Sequence, residues 1–254
     1  MAERIGSYAR ACPYVWPAGE TMTSMVRSGS VVMGCALLMA TMLLGGCTRV
    51  IVGAAHPAGP ADEERPPIPV ADLLIEPERF PARYPAVVLD GTAMDRVLQD
   101  IDGVPGGSVV TPPACASPPL TPHHTAAAQG TDSEDSSSLI VAVTSPAPPL
   151  RARAEQLTAC PSFTAVRDGE TFSVTATLLP APPVDADDSY AVDQTVTLPS
   201  GSTRRTMTLA AQIGQVLVRA TWLLEGATDS APDTQSLDTL FTDAVLKVHR
   251  VDGP

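Results

Sequence analysis

The chain has 254 residues, 44% of them hydrophobic, and carries a formal net charge of −12 from 16 Lys and Arg against 28 Asp and Glu. This length and apolar content fit one ordinary domain with extensions, and exclude both a disordered acidic tail and a membrane protein throughout. The basic residues are few and scattered, which argues against a nucleic-acid partner.

The N-terminal region contains a bacterial export signal. Arg27 precedes an apolar run that is too short to remain as a membrane span, and small residues lead to a cysteine. The run ends in Leu-Gly-Gly at positions 44–46 followed by Cys47, which matches the lipobox, whose cysteine receives a diacylglycerol through a thioether. We therefore predict a lipoprotein signal peptide over residues 25–46. Acylated Cys47, carrying palmitate-type chains, would anchor the exported protein to the outer face of the cell membrane.

Two further segments flank the folded part of the chain. Residues 1–24 precede the signal's own basic residue, so we expect an over-extended start with translation beginning at Met22 or Met25. Residues 47–71 are rich in Pro, Ala and Gly and cannot build a core, so they predict a flexible tether. The remaining range, 72–254, is predicted to be the folded domain.

Three amphipathic helices are predicted in this domain. In each, apolar residues repeat at intervals of three and four, and capping residues or prolines mark the ends. They run from a capping box at Thr92 to Gly103, from Leu150 to Pro161, and from a cap formed by Ser230 with Asp233 to Arg250.

Strand patterns fill most of the remaining domain. A type I′ turn at Asp168 and Gly169 predicts a hairpin with its apolar side chains on one face. A second turn at Gly214 predicts another hairpin, in which Met207 pairs with Trp222. Trp222 is expected to anchor the core, with a place in the wall of a ligand cavity as the alternative.

The order of these elements predicts an α+β fold. The unbroken apolar residues 139–143 indicate a central strand covered on both faces, while residues 118–130 are expected to form a long mobile loop. Antiparallel strands with helices before, among and after them favour a single antiparallel sheet with helices packed on one face, preceded by the signal peptide and tether.

The cysteine count predicts one disulfide. Cys12 and Cys35 are lost with the N-terminal segments and Cys47 is lipidated, so Cys115 and Cys160 remain as an even pair in an oxidising compartment. We predict a Cys115–Cys160 disulfide, with two separate buried thiols as the alternative.

Candidate catalytic and metal-binding residues are sparse. No Gly-x-Ser-x-Gly motif occurs, and the adjacent His123 and His124 lack partners at metal-ligand spacing. The acidic stretch from Asp185 to Asp188 lacks the glycine turn and distal glutamate of a calcium loop. We therefore expect no enzymatic activity, no metal and no cofactor; a metal site at the two histidines is the alternative.

Adjacent arginines form one further candidate site. Arg204 and Arg205 could clamp an anionic headgroup. Charged residues at the start of an exposed strand are the commoner arrangement and the favoured interpretation.

Several segments resemble a known family. They are the tether, residues 72–81, the helix at residues 92–101, residues 112–115, residues 157–161 and the closing residues 232–241. Together they are similar to actinobacterial, and specifically mycobacterial, envelope lipoproteins that carry a domain of unknown function. That domain is similar in layout to the extracellular sensor domain of PknH-type serine/threonine kinases. The resemblance implies a surface-anchored binding or sensing module without enzymatic activity, although those sensor domains hold two disulfides and this chain has one available pair.

These observations predict a cell-surface lipoprotein with a non-catalytic, sensor-like domain. Its partners would be the membrane, through the lipid anchor, and an unknown small molecule or protein of the envelope. The alternative function is a lipid or glycolipid carrier, which would need an apolar cavity on the order of 1,000 Å³. An unrecognised hydrolase comes third.

Overall fold

The computed structural model describes residues 68–118, 124–226 and 231–252, which all fall within one unit of chain, residues 63–254. The predicted start segment, signal peptide, Cys47 and nearly all of the tether lie outside the described residues. Ile68 and Val70 already pack against the core, so packing begins before residue 72. Within the described ranges, none of the helices combines the length and apolar character needed to cross a membrane.

In the described part of the chain, nine antiparallel strands form one sheet. They are β1 (Ala86–Val88), β2 (Val109–Thr111), β3 (Thr125–Thr131), β4 (Ser138–Thr144), β5 (Ser162–Arg167), β6 (Glu170–Leu179), β7 (Asp188–Thr197), β8 (Thr203–Ile213) and β9 (Val216–Glu225). Their order across the sheet is β1-β3-β4-β9-β8-β7-β6-β5-β2. The two edge strands are also the two shortest, which leaves little unpaired backbone exposed at either edge.

Among the described residues, four α-helices accompany the sheet, and they lie on both of its faces. They are α1 (Val70–Leu73), α2 (Gly91–Asp102), α3 (Leu150–Ala159) and α4 (Thr234–Asp252). On β4, Leu139 and Val141 pack in the α4 cluster, whereas Ile140 and Ala142 pack against α2 on the opposite face. The α+β class is therefore correct, but the prediction of helices on one face is wrong. Because the central strands are apolar on both faces, each face needs a covering layer.

Both predicted hairpins have the predicted register. Ala165 pairs with Phe172 in the first, and Met207 pairs with Trp222 in the second. Asp168 has a φ of 53° and Gly169 a φ of 82°, as the two central residues of a type I′ turn require.

Two helix starts differ from the prediction. Asp90 is the N-cap of α2 and makes no capping hydrogen bond through its side chain, so the capping box at Thr92 is wrong. Asp233 caps α4, where its Oδ1 accepts the backbone N–H of Ser236 at 3.1 Å, so the predicted cap at Ser230 is also wrong. In both cases several polar residues precede the apolar periodicity, and tertiary packing decides which one starts the helix.

The C-terminal part of the predicted loop at residues 118–130, residues 125–130, belongs to strand β3. Ala126, Ala127 and Ala128 are buried on β3, between β1 and β4. Alanine has a low strand propensity, so a strand built from small side chains carries no local signal. Residues 125–131 form a strand because they pair with β1 and β4 in the sheet.

Gly130 on β3 lies directly against the backbone of Tyr84. A Cβ atom at Gly130 would stand 2.4 Å from the Tyr84 carbonyl oxygen, and backbone cannot move aside as a flexible side chain does. We expect Gly130→Ala to lower the free energy of unfolding by about 1–3 kcal/mol, measured by urea denaturation. Gly106→Ala is the matched control, because its nearest neighbour is the Gln99 side chain at 3.3 Å. Equal losses in the two variants would contradict this expectation.

Candidate ligand cavity

A cavity of about 620 Å³ lies between α3 and the sheet, and we call it the α3 cavity. One wall is α3 with the preceding prolines; another is residues 113–118, which we call the Cys115 segment; β7 and β9 contribute side chains from the sheet. Apolar side chains dominate this lining, among them Ala114, Pro149, Leu150, Ala152 and Leu217. The volume falls in the range of roughly 300–1,000 Å³ that small-molecule sites occupy.

Arg219 brings a positive charge into this apolar cavity. Alternation along β9 turns Val218 and Ala220 toward α4, so Arg219 lies on the opposite face, with α2 and α3. Its partners on the adjacent strands are Ala142 and Ala210, whose small side chains leave room for the guanidinium. The Arg219 side chain is only 6% exposed. Burial of a charged group is costly unless its hydrogen bonds are made.

Only part of the Arg219 guanidinium has a partner. Nη1 donates to Oδ1 of Asp102, at the end of α2, over 3.2 Å. Nε and Nη2 are buried and have no hydrogen-bond partner in the part of the chain that the structure describes. The N–H groups of these two nitrogens point the same way from the guanidinium plane and form the fork that binds carboxylates and phosphates. Buried donors without partners are rare in folded proteins, so this pair needs an explanation.

Tyr190 on β7 lines the same cavity. Burial is the main influence on its phenol and raises the pKa, while the positive charges of Arg219 and Arg153 act in the opposite direction. The phenol therefore stays protonated at neutral pH and keeps an O–H group that can donate a hydrogen bond.

Two links hold the walls of the cavity together. The structure contains the predicted Cys115–Cys160 disulfide, with the two Cα atoms 5.7 Å apart. Nε2 of Gln156 on α3 also donates to the backbone carbonyls of Ala114, at 2.6 Å, and Ala116, at 2.7 Å. The Cys115 segment is thus tied to α3 by one covalent bond and two hydrogen bonds.

The described part of the chain shows no metal-binding cluster around the candidate histidines. His124 is exposed, and His123 lies outside the described residues. A third histidine, His249 on α4, has its Nε2 2.8 Å from the carbonyl oxygen of Asp185. Across residues 68–118, 124–226 and 231–252, no group of three or more His, Cys, Asp or Glu side chains could hold a metal ion.

Two carboxylates of the acidic stretch from Asp185 to Asp188 contact different parts of the protein. Asp187 accepts the backbone N–H of Gly214 at 2.7 Å, whereas Asp188 pairs with Arg151 at 3.3 Å. These carboxylates therefore serve separate contacts, in agreement with an ordinary acidic loop.

The adjacent arginines are occupied by acidic partners. Arg204 pairs with Asp100 at 2.6 Å and with Glu225 at 2.8 Å. Arg205 pairs with Asp193 at 2.6 Å. These ion pairs argue against an anion clamp. The expectation of an exposed strand is wrong, because β8 lies between β7 and β9 and both arginines are partly buried.

Comparison with known proteins gives little further guidance. No protein-family model matches the chain, and no curated protein matches it. An uncharacterized Mycobacterium smegmatis protein, an Rv0999 ortholog, is similar at 16% identity and a TM-score of 0.45, over 70% of this chain and 96% of that one. The extracellular domain of PknH from Mycobacterium tuberculosis is similar at 14% identity and a TM-score of 0.38, over 68% of this chain and 97% of that one. Likenesses at this level carry no argument about what this chain does.

Proposed function

We propose that this chain is a lipid-anchored protein on the outer face of the cell membrane, whose α+β domain is a non-catalytic module that binds a small molecule. The observation that carries this proposal is the α3 cavity, which combines apolar walls with a buried arginine that has unpaired donors. A largely apolar pocket with a few convergent polar groups is the usual form of a ligand site. The candidate residue His124 does not line it, and the site suggests binding rather than turnover.

The size of the α3 cavity bears on the alternative function. Its volume of about 620 Å³ is well below the value on the order of 1,000 Å³ expected for lipid or glycolipid carriage. A buried charge is also a costly group to place beside a purely hydrocarbon cargo. Both points favour a small polar-ended molecule over a bulky lipid.

Native mass spectrometry tests this proposal on the whole protein purified from the producing organism. We expect a co-purifying small molecule that is released on denaturation and is lost in Ala152→Phe, which fills the apolar part of the cavity. Thr158→Phe is the matched control, because Thr158 is an exposed α3 residue that does not line the cavity. A retained glycolipid would instead support the carrier function. Co-purification of a protein alone would contradict the small-molecule proposal.

The anchor makes a separate prediction. Replacing Cys47 with alanine removes the thiol that accepts the diacylglycerol, and none of the helices in the described residues is long and apolar enough to cross a membrane. We expect Cys47→Ala to shift the protein from the detergent phase to the aqueous phase in a partitioning assay. Cys12→Ala is the control and should partition as the unchanged protein does. Continued membrane association of Cys47→Ala would contradict the anchor.

A further inference from the structure

The unpaired donors of Arg219 indicate the chemical class of the ligand. We infer that the α3 cavity binds a small amphiphile with a single carboxylate or phosphate group, held by Nε and Nη2 of Arg219, with an apolar body against α3. This inference rests on the proposed function and adds the ligand's chemistry to it.

The first argument is the arrangement of the guanidinium. Asp102 uses Nη1 and leaves the side that contains Nε and Nη2 without a partner. Two parallel N–H groups match two oxygens of a carboxylate or phosphate, and such bidentate pairs are among the strongest hydrogen bonds in proteins. A neutral amide or alcohol offers only one acceptor atom to this fork, so an anionic group fits it best.

The second argument is the set of charges in the cavity. The lining contains Arg219 and Arg153 as cations, and Asp102 and Glu155 as carboxylates. Glu155 is exposed, and Nη1 of Arg153 donates to Oε1 of Gln156. Asp102 contacts Nη1 of Arg219, and neither carboxylate is a hydrogen-bond partner of Nε or Nη2. Because the four charges sum to zero, a ligand with one anionic group suits the site better than a ligand with several.

The third argument is the remaining lining. The Tyr190 phenol supplies a further donor on the sheet side of the cavity. Pro149, Leu150, Ala152 and Leu217 offer an apolar surface for the rest of the ligand. Burial of this apolar surface would add to the affinity in proportion to its area. Nε and Nη2 of Arg219 are buried, so contact with the anionic group requires a shift of the residues that cover them.

A matched pair of fluorescent probes tests the inference on the purified protein. Dansyl-undecanoate carries one carboxylate on an apolar chain, and its primary amide has the same shape without the charge. We expect the acid to bind about tenfold or more tightly than the amide. Arg219→Met should lower the affinity for the acid by a similar factor and leave the affinity for the amide unchanged. Competition by octanoate and by octyl phosphate then shows which of the two anionic groups the fork prefers.

Two further variants keep the test independent of folding. Arg205→Met is the matched control, because Arg205 is a paired sheet arginine that does not line the cavity, and it should bind both probes as the unchanged protein does. The double variant Arg219→Met with Asp102→Asn removes the carboxylate that Arg219→Met leaves unpaired. It should fold and still show no preference for the acid.

The outcomes separate the inference from the proposed function. If the acid and the amide bind with equal affinity, and Arg219→Met changes neither affinity, the inference of an anionic ligand is wrong. The proposal of a small-molecule cavity would then still stand. Binding of neither probe, together with no small molecule on the natively purified protein, would overturn the proposed function itself.

Discussion

Replacing Trp222 with alanine is expected to lower the free energy of unfolding by about 3–5 kcal/mol. Trp222 on β9 is 1% exposed and belongs to the cluster between the sheet and α4, which also contains Leu240 and Phe241. Deleting an indole there removes its favourable burial and leaves a cavity that the rigid sheet cannot close. Urea denaturation of the purified protein measures the loss.

An exposed valine provides the control for Trp222. Val87 on the edge strand β1 is 63% exposed, so Val87→Ala should change the free energy of unfolding by less than about 0.5 kcal/mol. Trp222 does not line the α3 cavity. A Trp222→Ala variant that kept its stability but lost binding of a small molecule would contradict the core assignment and favour a cavity role.

Removal of the disulfide is expected to have a comparable effect. Cys115 and Cys160 are 45 residues apart in sequence, and the loop-closure model assigns a cross-link of that span about 4 kcal/mol. This is a large share of the net stability of an ordinary domain, which is about 5–15 kcal/mol. We expect the double variant with alanine at both positions to unfold at a correspondingly lower urea concentration. Alanine is chosen because both sulfurs lie in buried surroundings.

The disulfide variant also has a consequence for the α3 cavity. Without the covalent link, only the Gln156 hydrogen bonds tie the Cys115 segment to α3. Ligand affinity should therefore fall at temperatures where the domain is still folded. Cys47→Ala is the control for cysteine loss, and its domain should keep the full free energy of unfolding. Equal stability of the unchanged protein and the double variant, both under oxidising conditions, would contradict the role assigned to this bond.

The features that the sequence predicts well depend on local chemistry. The turn at Asp168 and Gly169 requires two positive φ angles, which this pair of residues adopts readily, so the hairpin and its register follow. The register then places Phe163, Ala165, Phe172 and Val174 together on the buried face, while Val166 lies on the other face and is exposed. The disulfide follows from compartment and cysteine count, without any knowledge of the fold.

The features that the sequence misses depend on the arrangement of the sheet. β3 is buried by its neighbours rather than by its own propensity, because its alanines are weak strand formers. Which face each helix covers is decided by connections across the sheet, and a periodic pattern contains no such information. An amphipathic helix has the same sequence signature on either face.

Arg219 shows the same limit at the candidate site. It is the only charged residue between Val216 and Leu224, and this isolation in an apolar strand is the signal that could have singled it out. If all helices are assigned to one face of the sheet, the face that carries Arg219 is predicted to contact solvent, where a charged side chain is common. Only the placement of α3 over that face turns an unremarkable surface arginine into a buried one with unpaired donors.

A crystal structure of the protein purified from its producing organism, with no ligand added, tests the central claim most directly. We predict density for a small molecule in the α3 cavity, with an anionic group within hydrogen-bond distance of Nε and Nη2 of Arg219. A cavity that holds water alone, with those two nitrogens bonded to water or to side chains of the protein itself, would contradict the claim.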